Sequence, residues 1–135
     1  MTAGIFRVSI PESLDMAFTF IKNCLNSSGL MIQNSETGII TSWSEEGEQI
    51  VTASEDLLHK IKSGYLKNVQ FWISSSDDIF VSWSENDRGL SVFSIYLDGV
   101  DIGCSLDVAS KIMEGLLTQY TNMNLSGCVF SMAFE

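Results

Sequence analysis

The chain is short of positive charge. Its 135 residues include seven lysines and arginines against seventeen aspartates and glutamates, a formal net charge of −10. Such a surface repels phosphate backbones and anionic membranes, so neither nucleic acid nor a membrane is an expected partner. Proline occurs once and apolar residues make up 45% of the chain. That composition argues against disorder. At this length folding buries roughly two-thirds of the unfolded surface, enough for one domain, residues 1–135, with its own core. No apolar run approaches the about 18 residues of a membrane span. The N-terminus lacks a signal peptide's basic and apolar segments, so the expected compartment is the cytoplasm.

Chemistry-bearing residues are equally scarce. Cys24, Cys104 and Cys128 are odd in number and widely spaced, unlike a C-x-x-C zinc or redox pattern. Each lies in an apolar stretch and is expected to be a buried thiol. The only histidine, His59, stands between Leu58 and Lys60 and reads as a surface or half-buried side chain rather than a base. There is no glycine-rich phosphate loop, no H-x-x-x-H and no EF-hand ligand spacing. Paired acids such as Asp77–Asp78 fall in turn-forming sequence, where solvation keeps them ordinary carboxylates. Neither an enzyme nor a cofactor is expected.

What the chain does have is periodicity. Residues 5–10 alternate as a strand, then Leu14, Ala17, Phe18, Ile21 and Leu25 form one helical stripe. Ser9 and Glu12 have capping-box spacing around Pro11, predicting a helix over about 12–27 that ends at Gly29. Short strands are predicted at 30–33, 38–44 and 48–52. Thr52 with Glu55 opens a second helix over 53–63, ended by Gly64. Runs at 68–74, 78–84 and 89–98 are separated by "SSDD" and "ENDRG", a three-stranded antiparallel meander. A third helix over 105–120, with Ser105 as candidate cap, is expected to bury Leu106, Ala109, Ile112, Leu116 and Tyr120. A strand over 127–134 closes the chain. The fold class is α+β: an antiparallel sheet with a central meander (about 68–98) packed by three helices.

The tetrapeptide SWSE occurs at Ser42–Glu45 and again at Ser82–Glu85. Two copies are too few for a repeat array. They read as two strand ends in similar settings, with Trp43 in phase with Ile39 and Trp83 in phase with Ile79, both tryptophans facing the core. In the meander, Val69, Phe71, Ile73, Ile79, Val81, Trp83, Phe93, Ile95 and Leu97 share the core face. The opposite face holds Gln70, Trp72, Ser74, Phe80, Ser82, Ser84, Val92, Ser94 and Tyr96. Aromatics among small polar residues suit a binding surface. The other readings are that a dimer mate or another element covers this face.

The acids are clustered. Residues 36–58 hold six acids and no lysine or arginine, and residues 77–107 hold seven acids against Arg88 alone. Such clusters attract basic partners and raise their on-rate. The candidate partner-binding residues are therefore Trp72, Phe80 and Tyr96 on the sheet face, with Glu45, Glu46, Glu48, Asp77, Asp78, Glu85 and Asp87 in the turns.

A small, acidic α+β domain with an aromatic-serine sheet face resembles, as a type, the immunity proteins of bacterial polymorphic and contact-dependent toxin systems. That resemblance implies a stoichiometric inhibitor that binds a cognate toxin domain, a basic nuclease for instance, and occludes its active site. The alternative is an acidic, homodimeric secretion chaperone that binds an extended effector segment. The strands at both ends of this chain depart from the chaperone order.

Overall fold

The computed structural model describes residues 4–123 and 125–135. Strand β1 (Gly4–Ile10) turns Phe6, Val8 and Ile10 into the core, as its alternation requires. Helix α1 (Leu14–Ser27) follows and buries Ala17, Phe18, Phe20, Ile21, Cys24 and Leu25. Its N-cap is Ser13, not Ser9. Ser9 stays in the sheet, donating its N–H to the Val129 carbonyl at 2.8 Å, so it is not free to cap a helix. Gly29 ends the helix with φ 84°, the left-handed conformation that its lack of a Cβ permits.

Residues 30–33 do not form the predicted strand. They make two isolated bridges, Met31 to Trp72 and Gln33 to Ile40. Strands β2 (Ile40–Trp43) and β3 (Gln49–Thr52) pair as a separate two-stranded hairpin. Thr52 is a buried member of β3, so it cannot cap the second helix. A 3₁₀ turn at Ser54–Asp56 leads instead into that short helix, α2 (Leu57–Lys62), which buries Leu57 and Ile61 and leaves His59 exposed.

Strands β4 (Asn68–Trp72), β5 (Asp78–Glu85) and β6 (Ser91–Tyr96) form the expected antiparallel meander. Helix α3 (Ile102–Tyr120) begins three residues earlier than predicted, because Asp101 is its cap: the Asp101 carboxylate accepts the Cys104 N–H at 2.8 Å. Strand β7 (Phe130–Phe134) is last, and the sheet order is β4-β5-β6-β1-β7, antiparallel at every pairing.

The buried residues of all three helices join one core on one face of this sheet. Phe18 is its centre, fully buried, with its ring 5.4 Å from Trp83 and 6.2 Å from Phe71. Eight of the nine expected core residues of the meander are buried; Ile73 lies past the end of β4 and is 44% exposed. Helix α3 buries Ile112 and Tyr120 and packs half-buried Ala109 and Leu116 on the core as expected, but it also buries Val108, and Leu106 is 66% exposed.

The two SWSE copies part company here. Trp83 is buried as expected, but Trp43 is 38% exposed. In β2, Ile40, Thr41 and Ser42 are all buried, and Trp43 is the exposed last residue of the strand. Its place at the strand end, held by the side chains of Asn68 and Gln70, sets where Trp43 lies.

Candidate protein-interaction surface

Register builds the face opposite the helices. Gln70, Phe80, Tyr96, Ile5 and Ala133 form one row across all five strands, and Asn68, Ser82, Ser94, Arg7 and Ser131 form the next. Phe80 and Tyr96 are direct cross-strand partners with ring centroids 5.7 Å apart. Trp72 stands opposite Asp78 at the end of β4. The three aromatics and Asp78 are half-buried, outside the main core cluster.

The face continues onto the β2–β3 hairpin. The Asn68 side chain grips the Trp43 backbone from both sides: its carbonyl accepts the Trp43 N–H at 2.8 Å and its amide donates to the Trp43 carbonyl at 2.9 Å. The Trp43 indole N–H donates to Gln70 Oε1 at 3.0 Å, and Gln70 Nε2 donates to Asp78 at 2.6 Å. A polar chain thus ties an exposed tryptophan to the sheet. Trp43 was expected in the core; it lies at the end of β2 and is 38% exposed.

The acidic turns divide between two ends. Glu45, Glu46 and Glu48 surround the tight β2–β3 turn, where the Ser44 N–H donates to the Glu48 carbonyl and the Ser44 hydroxyl accepts the Glu48 N–H. With Trp43, Ile50, Tyr65 and Lys67 they line a cleft of about 640 Å³. Lys67 reaches Glu45 at 3.4 Å across exposed surface. Lys67 is also next to the end of β5, since its carbonyl accepts the Trp83 N–H. Glu85 and Asp87 of the β5–β6 turn therefore lie at the same end as Glu45–Glu48.

Asp77 and Asp78 lie at the other end of β5, an eight-residue strand spanning roughly 25 Å. Asp77 is held in its turn by Ser74 and shares a cavity of about 400 Å³ with Asp98 and Asp101. The ten candidate residues thus form an aromatic face with an acidic group at each end. Tyr65, 61% exposed beneath Lys60, and Trp43 belong to the surface but not to the sequence reading.

Burial pushes the Cys24 thiol up to about 11, and burial likewise raises Cys104. Among the described residues no group of three or more candidate ligands could hold a metal ion, and no helix is long and apolar enough to cross a membrane. No family model, no curated protein and no solved structure matches the chain.

Proposed function

We propose that this protein is a stoichiometric inhibitor of the immunity-protein type, which binds a basic toxic protein domain and covers its active site. The observation that carries the reading is the sheet face around Phe80 and Tyr96. The core residues of all three helices lie on the other side, so this face keeps aromatic area without a helix against it. A solvated sheet face carries charged and branched polar side chains instead. The acidic groups at both ends supply long-range attraction for a basic partner, and the aromatics between them supply the desolvated contact.

Binding kinetics against the protein encoded beside this one test the reading. Phe80→Ala should speed dissociation and cost about 2–4 kcal/mol, the range for a buried interface anchor. Neutralising Glu45, Glu46 and Glu48 together should slow association at low salt and change little at high salt. One exposed ion pair is worth only ~0–1 kcal/mol, so the three must act as a group. Tight wild-type binding that neither variant alters would place the contact elsewhere. Capture of an extended apolar segment, with shallow salt dependence, would replace this reading by the chaperone one.

A further inference from the structure

Glu114 and Glu135 are separated by the longest uncharged run in the chain. Residues 115–134 supply the end of α3, the turn after it and strand β7. Among the described residues strand β7 ends the sheet, paired to β1 on one side only. The Ser9 N–H donates to the Val129 carbonyl. By the two-residue period, Ser131 and Ala133 turn their backbone groups toward β1, while Phe130, Met132 and Phe134 turn theirs outward. The sheet's other edge is closed: Met31 and Trp72 exchange backbone hydrogen bonds, and Asn68 holds the β2 backbone. Natural open edges are blunted by lysine, proline or a bulge. None of these occurs in β7.

The edge is also apolar. Met132 and Phe134 share the helix-side face with Phe6 and Gly4, and are 52% and 68% exposed. Ile102, Leu106, Met113 and Leu117 of α3 form one exposed arc, each between 48% and 79% accessible. This arc is the flank away from α1, because α1 meets α3 at Gly115. At its C-terminal end Leu117 lines a cavity shared with Leu125 and Val129, on the approach to β7.

We propose that two copies of this protein associate through β7, the two strands pairing antiparallel about Met132 with the α3 flanks beside them. Antiparallel pairing of one strand with itself is self-complementary under a two-fold axis. Two chains of charge −10 repel wherever their acids face each other, and this neutral strip lets them approach. A basic partner gains nothing from a strip without charge, so the same feature selects a second copy. The dimer leaves the Phe80–Tyr96 face free and stands independently of the inhibitor reading.

Sedimentation equilibrium of the wild-type protein should give twice the 14.9 kDa chain mass. Met132→Lys should weaken the association by about tenfold or more. Amide exchange at Phe130, Met132 and Phe134 should slow as wild-type concentration rises, a readout that holds even where the variant fails to fold. A wild-type chain that stays monomeric at every soluble concentration overturns the proposal, including the case where β7 captures an extended peptide instead. So does a dimer whose amides at these three positions exchange independently of concentration.

Discussion

Cys24 and Cys128 show how far a single residue's fate depends on what lies across from it. Both sit in apolar sequence. Cys24 ends up 8% exposed under α3, while Cys128 lies in the turn before β7 and is exposed. A thiol reagent at neutral pH should label Cys128 first and Cys24 only on unfolding, read by mass spectrometry of protected peptides. Burial lifts Cys24 from 9.0 to about 11, so the folded state keeps a proton that the unfolded chain releases. The associated stability is complete below pH 9 and is lost as pH rises toward 11, amounting to about 2–3 kcal/mol. Cys24→Ala should flatten the stability profile in that window. Tyr120, also raised by burial, adds an alkaline slope of the same sign. An unchanged slope in Cys24→Ala would show that the thiol does not titrate late.

At the scale of elements, helix α3 is positioned by a glycine. A Cβ at Gly115 would stand 2.9 Å from two ring atoms of Phe20 and 3.3 Å from Cys24 Sγ. Phe20 cannot swing aside freely, because its other edge packs on Tyr120 at 5.5 Å. Helix propensity alone would favour alanine at Gly115 by about 0.5–1 kcal/mol. Forcing α1 and α3 apart costs about 1–3 kcal/mol, so steric crowding wins. Gly115→Ala should therefore lower the denaturant midpoint; a raised midpoint would show that the helices yield without strain. The same scale explains the misplaced helix starts. Ser9 and Thr52 have the right spacing to cap, but Ser9 bonds into the sheet and Thr52 is buried in β3. Capping is local, and a strand that needs the residue takes precedence.

For the whole molecule, charge is the term to test. Among the described residues only Arg7–Glu135 and Lys67–Glu45 form ion pairs, both between exposed side chains. Salt screens these two exposed pairs and also the repulsion among the remaining acids. With ten more negative than positive groups, repulsion is the larger quantity. Added salt should raise the melting temperature by roughly 3–5 °C, equivalent to about 1 kcal/mol at this length. A fall on adding salt would show that the ion pairs dominate.

The division between chain and fold comes from the range of the forces. Periodicity in the backbone's own repeat marked β1, α1, the meander and α3, because a stripe or an alternation must face the core wherever that core lies. The aromatic sheet face with Phe80 and Tyr96 was readable for the same reason: once Val81 and Ile95 point inward, their neighbours point out. Trp43, Leu106 and Cys128 were not readable. Their exposure depends on Asn68 and Gln70 holding Trp43, on α1 taking one flank of α3, and on where β1 seats the segment before β7. Those are pairings between distant segments, and local pattern carries no information about them. The acids could likewise be counted along the chain, but only the length and direction of β5 set Asp77 at one end of the face and Glu85 at the other.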